Sequence, residues 1–286
     1  MKRAIDPIVS TAWLEEHLSD QGLTVIDVRW PEEYQAGHIP GAISVPFGLE
    51  SAWSQSTEEL LMELPPDEDL FKLARDCGLT ADSKVVIVGR LEEPPAPPYP
   101  VADTVRAAVV LMYLGIDNVA ILDGGHPKWE KEGRRTTTEV PSVAPSDYSA
   151  TPRKDMFVHT DYVKERIGKA VILDGRDPDQ YFGASIDPFT DMRGHIPTAR
   201  CLPMIWVWEK DYTYRPAELI AEMAAGVIAA NKDQEIIFYC GVGGYASAWW
   251  FLLTQLCGYT NVKIYHGGLE AWVNGKNELV RYTWVG

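Results

Sequence analysis

The chain has no apolar run approaching the roughly twenty residues needed to cross a bilayer, which excludes a helical membrane span. Basic residues are scarce: 26 Lys and Arg against 41 Asp and Glu leave a formal charge of −15. A nucleic-acid binder needs a basic surface, so nucleic acid is excluded as a partner. The same deficit gives no long-range pull on a small anion, and any anion site must be built locally. Cysteines number four in 286 residues (Cys77, Cys201, Cys240 and Cys257), without CxxC or zinc-like spacing. A disulfide framework is therefore not expected, and no metal site is. No apolar stretch follows the basic start Met1-Lys-Arg-Ala-Ile-Asp-Pro7, so no secretion signal is legible and a cytoplasmic setting is expected.

What is present is a repeat. Asp27-Val-Arg29 precedes Gly37-His-Ile-Pro-Gly-Ala42, and Asp174-Gly-Arg176 precedes Gly194-His-Ile-Pro-Thr-Ala199. Val85–Val88 answers Ile236–Tyr239, and Gly124-Gly-His-Pro-Lys-Trp129 answers Gly267-Gly-Leu-Glu-Ala-Trp272. The order never changes, although the offset between copies drifts with loop length. Expected strands are Thr24–Val28, Val85–Val88 and Val119–Leu122, then Val171–Asp174, Ile236–Tyr239 and Val262–Tyr265. Alternation with helical stretches predicts an α/β fold, with a mostly parallel sheet and helices on both faces in each copy. Residues 1–140 and 156–286 form the expected domains, and the Thr-, Ser- and Pro-rich stretch 141–155 the expected linker.

In the second copy the strand Ile236–Tyr239 runs into Cys240-Gly-Val-Gly-Gly-Tyr-Ala246, and a helix is expected over Ser247–Leu256. Gly241, Val242, Gly243, Gly244, Tyr245 and Ala246 would turn backbone N–H groups inward, a cradle for negative charge at a helix start. A thiol at the end of a parallel strand, held in such a cradle, should ionise readily and act as a nucleophile. The other three cysteines read as packing residues.

These motifs, in duplicate and in order, resemble the rhodanese superfamily, specifically its tandem-domain sulfurtransferases of the thiosulfate and 3-mercaptopyruvate type. The resemblance implies two tandem rhodanese-like domains. The N-terminal one is non-catalytic, because Gly89 stands where the nucleophile would be, and the C-terminal one is catalytic through Cys240. It implies a ping-pong reaction in which Cys240 takes a sulfane sulfur from a small donor and passes it to a thiol or cyanide acceptor. A thioredoxin-like reductant is a further implied partner, and no metal or organic cofactor is called for.

The loop departs from both branches. Thiosulfate-using relatives place basic residues after the cysteine, and mercaptopyruvate-using relatives carry Cys-Gly-Ser-Gly-Val-Thr-Ala. Here Val242 replaces the serine, and Tyr245 offers its phenol either to a substrate or to packing. An arginine of the mercaptopyruvate branch falls at Gln180, which leaves Arg193 as a candidate substitute beside its reading as a surface charge. His38 aligns with a histidine near that branch's active site, and Arg29 falls where it has an acid. For His38 and His195 a turn-holding role stands beside the functional one, as loop bracing does for Asp27 and Asp174. Leu91–Pro100, with five prolines, is a stiff segment that either roofs a cleft or is a spacer. A phosphatase is rejected, because such loops need an arginine six positions after the cysteine and position 246 is Ala. The competing reading is a persulfide carrier or regulatory module without turnover.

Overall fold

The computed structural model describes residues 3–92 and 99–283, so most of the proline-rich segment Leu91–Pro100 lies outside the described residues. Two compact units emerge. The first draws on Met1–Gln55, Leu64–Arg153 and Lys210–Tyr214, the second on Ser56–Glu63, Lys154–Glu209 and Arg215–Gly286.

Each unit is built on five parallel strands. In the first these are β1 (Ile8–Val9), β2 (Leu23–Asp27), β3 (Ile43–Ser44), β4 (Lys84–Val88) and β5 (Val119–Leu122), ordered β1-β5-β4-β2-β3. The second repeats the scheme with β6 (Phe157–Val158), β7 (Val171–Asp174), β8 (Arg200–Cys201), β9 (Ile236–Tyr239) and β10 (Val262–Tyr265), ordered β6-β10-β9-β7-β8. The helices are α1 (Thr11–His17), α2 (Pro31–Ala36), α3 (Asp67–Asp76), α4 (Tyr99–Tyr113) and α5 (Gly125–Lys131). Their counterparts are α6 (Thr160–Arg166), α7 (Pro178–Phe182), α8 (Ala217–Ile228), α9 (Gly244–Gln255) and α10 (Gly268–Asn274).

Central strands covered on both faces need apolar residues at every position, because successive side chains point oppositely. β9 shows this: all four residues are buried. Ile237 and Tyr239 join a core with Val163 of α6 and Leu269 and Trp272 of α10. Phe238 faces the other way, 6.0 Å between ring centroids from Trp249 of α9. The expected α/β architecture of two parallel-sheet halves is the one observed, and the long strands fall within a residue of expectation. The edge strands β1, β3, β6 and β8, two residues each, are too short to leave a periodic signal. α9 begins at Gly244, three residues before the expected Ser247, because the reversal is completed by Gly243 in the left-handed region (φ 117°).

Residues 137–153 run along the first unit. Thr137 pairs with His38, Ser146 N–H donates to Arg75 O, and Arg153 N–H donates to Tyr113 O. Two short segments join the unit built mainly from the other half of the chain. In the second unit Leu61 N–H donates to Glu270 Oε2 at 2.8 Å. In the first, Tyr214 N–H donates to Asp123 Oδ1 at 2.9 Å. Among the described residues no helix is long and apolar enough to cross a membrane.

Candidate active site

The Asp-x-Arg and Gly-His-Ile-Pro motifs form one brace, made twice. Arg176 is buried and holds Asp174 through Nη2 at 2.6 Å, and the same nitrogen donates to Gly194 O at 2.7 Å. Arg29 does the same with Asp27 (2.7 Å) and Gly37 O (2.8 Å). Charge pairs this buried need complete hydrogen bonding, and each carboxylate also accepts the N–H of its arginine at 3.0 Å. The histidines complete the turns. His38 meets Tyr34 O through Nδ1 and Glu139 O through Nε2, with its ring 3.7 Å above that of Tyr34. His195 meets Tyr181 O through Nδ1 and stacks on Tyr181 at 3.8 Å. Burial lowers the His195 pKa, so it stays neutral near pH 7. Tyr34 and Tyr181 finish the pattern by donating to Ala42 O and Ala199 O, each at 2.7 Å. Neither tyrosine is singled out by the sequence motifs, although both recur at the same place in the repeat.

The brace positions β7, and β7 pairs with β9, whose end delivers Cys240. The thiol is 4% exposed. Gly243 N–H donates to Sγ at 3.1 Å, and the N–H groups of Val242 and Ala246 also reach the sulfur. Ser247 fixes the loop from beneath by donating its hydroxyl to Gly243 O at 2.8 Å. Behind Cys240, Leu269 N–H donates to its carbonyl at 2.8 Å and Glu270 N–H to that of Gly241 at 3.2 Å. This contact explains the Gly-Gly pair at 267–268: a Cβ on Gly268 would lie 2.6 Å from both the Cys240 and the Gly241 carbonyl oxygens.

Ionisation runs against the sequence expectation. Burial pushes the Cys240 thiol above its ordinary value of 9.0, and the N–H donors of Ala246, Gly243 and Val242 offset this only in part. The cause is physical: Cys240 is removed from water, and the loop supplies dipoles without a cation. Cys77, Cys201 and Cys257 are pushed up too, to about 12, 12 and 11, with burial leading in each. Backbone donors oppose the rise only at Cys240 among these four.

Arg193 donates to the carbonyls of Gly183 (3.2 Å) and Ala184 (2.6 Å) and so closes its own loop. Arg29 and His38 lie in the first unit, engaged in the brace described above. Tyr245 meets Trp208 edge-on, with ring centroids 6.4 Å apart. Gly89 follows β4 as Cys240 follows β9, and a Cβ there would fall 1.8 Å from Thr104 Oγ1. One neighbour was not anticipated. Asp187, 1% exposed, sits over Gly241: a Cβ on that glycine would be 3.3 Å from Asp187 Oδ2. Its carboxylate accepts from Arg176 Nη1 at 3.3 Å and from Phe189 N–H at 3.0 Å. The length difference between the two Arg-to-Gly-His spacings was the signal for it.

The Rhodanese-like domain profile matches residues 10–132 and 159–275. A sulfur carrier protein of Thermus thermophilus, TtuD, is 32% identical, covering 93% of this chain and 93% of the relative. Proteins provisionally named thiosulfate sulfurtransferases, from Haloferax volcanii and Saccharopolyspora erythraea, are 31% and 30% identical. They cover 95% and 91% of this chain and 94% and 90% of their own. Among solved structures, EanB superposes with a TM-score of 0.81 at 23% identity, over 97% of this chain and 70% of EanB.

Proposed function

The chain belongs to the rhodanese-like family, and from that premise we propose that it is a sulfurtransferase working through a persulfide on Cys240. The observation that carries this is the Gly243 N–H aimed at Cys240 Sγ from 3.1 Å, in a loop that opens a twelve-residue helix. In the first half-reaction Cys240 Sγ attacks the outer sulfur of a sulfane donor. The donor S–S bond breaks, its electron pair leaves with the donor remnant, and the thiol proton passes to solvent. Negative charge then rests on the terminal sulfur of Cys240–S–S⁻, where preorganised N–H groups and the helix N-terminus stabilise it. A thiophilic acceptor, cyanide or a thiol, removes that sulfur in the second half. Sulfur donors and acceptors as partners are what the names of the relatives support in general.

In this reading residues 156–286 are the catalytic domain and 1–140 its non-catalytic counterpart, joined through 141–155. The crowding of Thr104 against position 89 supports the second assignment. A carrier role without rapid turnover is the alternative. It is supported by the absence of a cation in 241–246 and by the named sulfur carrier among the relatives.

The test is intact-mass measurement after exposure to thiosulfate or 3-mercaptopyruvate, then to cyanide. Gain of one sulfur, erased by cyanide and absent in Cys240→Ser, is the expected outcome. Transfer retained in Cys240→Ser refutes it.

A further inference from the structure

Gly194 follows Arg176 by eighteen positions, against eight from Arg29 to Gly37, so the second copy carries ten residues that the first lacks. The excess falls between α7 and Gly194, and it is tied down. Asp187 takes Arg176 Nη1 at 3.3 Å, and Phe189 Cδ2 lies 3.0 Å from the Cβ position of Gly241, one residue after the nucleophile. Such an anchored insertion is not a loose surface loop. Its large side chains are nevertheless turned to solvent: Ile186, Phe189 and Met192 are 47%, 37% and 36% exposed. Beyond α9, whose first turn forms the cradle, the 3-10 turn Met204–Val207 packs against that helix and exposes Ile205 and Trp206. Charge points the same way. Residues 241–246 hold no cation, and Arg176 is committed to Asp174 and Asp187. The residues just named offer a small doubly charged anion backbone N–H groups without a cation, whereas an apolar body meets Phe189 beside the nucleophile's neighbour.

Resting on the sulfurtransferase reading above, we infer that the insertion 184–193 is a specificity element. It selects sulfane-sulfur donors with an aromatic or branched apolar body over compact anions. Phe189 contacts that body directly, and Asp187 is a positioning residue that acts through Phe189. An aryl thiosulfonate, ArSO₂–S⁻, is one such donor. Cys240–SH and ArSO₂–S⁻ give Cys240–S–S⁻, ArSO₂⁻ and a proton released to solvent. The S–S bond of the donor breaks as the Cys240 Sγ–S bond forms, and its electron pair leaves with the sulfinate.

Benzenethiosulfonate and methanethiosulfonate carry the same head group and charge, so the ratio of their kcat/KM values, with cyanide as acceptor, isolates the apolar body. The full chain is expected to favour the benzene compound by about tenfold or more, the scale of one good aromatic contact. Phe189→Ala should bring the ratio towards unity, and Phe189→Leu should restore part of it. Asp187→Asn should lower the ratio in the native background and leave it unmoved in Phe189→Ala, a coupling that general destabilisation would not produce. A ratio near unity in the native chain, or one unmoved by Phe189→Ala, overturns the specificity claim while transfer persists. Failure of Cys240 to take sulfur from these donors and from thiosulfate overturns the sulfurtransferase reading itself.

Discussion

Gly268→Ala tests how the Cys240 loop is held. Gly268 has φ 53°, and a Cβ would stand 2.6 Å from two carbonyl oxygens, where ordinary contact begins near 3.4 Å. Both oxygens are backbone, so neither can swing aside as a side chain would. Left-handed backbone costs a non-glycine residue about 1–2 kcal/mol, and overpacking adds about 1–3 kcal/mol. The expected loss is therefore about 2–5 kcal/mol, read as a lower urea midpoint by tryptophan fluorescence. The strain should also displace α10 from Cys240 and Gly241, so sulfur uptake per folded molecule should fall. Gly226→Ala is the control. It lies inside α8, its added Cβ would meet nothing within 4 Å, and helix propensity predicts a gain of about 0.5–1 kcal/mol. Equal midpoints for the two variants would refute the close-approach account of the Gly-Gly motif.

Two further outcomes are expected. Cys77, Cys201 and Cys257 have folded-state pKa values raised by burial from 9.0 to about 12, 12 and 11, so the folded chain holds these protons more tightly than the unfolded one. That contribution to stability is complete below about pH 9 and is lost as pH climbs through about 11–12; urea midpoints between about pH 8 and 11.5 check the sign. Gly89→Cys should not create a second sulfur site. Its Cβ would meet Thr104 Oγ1 at 1.8 Å, where that hydroxyl already donates to Pro100 O, so a loss of about 1–3 kcal/mol and no additional sulfur by intact mass are expected.

Much of the architecture was legible because it was written twice. Val85–Val88 of β4 and Ile236–Tyr239 of β9 are runs of buried apolar residues, and a parallel strand covered on both faces has to read that way. The position of Cys240 after β9 followed from the same run. Its ionisation did not, because the motif displays the glycines while the burial that opposes them comes from elements distant in sequence. Asp187 was hidden for a related reason. An aspartate in an insertion has no periodicity, and its weight comes from Arg176, eleven residues earlier, and from the absent side chain of Gly241. The Gly-Gly pair was visible as a repeat, yet its purpose became clear only with the Cys240 carbonyl behind it.

The short segment Ser56–Glu63 bears on how this chain could be divided. It is encoded within the first copy but belongs to the second unit, where Leu61 N–H satisfies the Glu270 carboxylate and Glu59 O accepts from Asn274 at 2.6 Å. Leu60 lies against Gly267, 3.2 Å from the Cβ position. A half-protein beginning at Lys154 would carry Cys240 and its whole loop, yet it would uncover the helix that backs them. A segment encoded in the first copy thus supplies part of the wall behind Cys240, and a gene encoding the second repeat alone would lose that support.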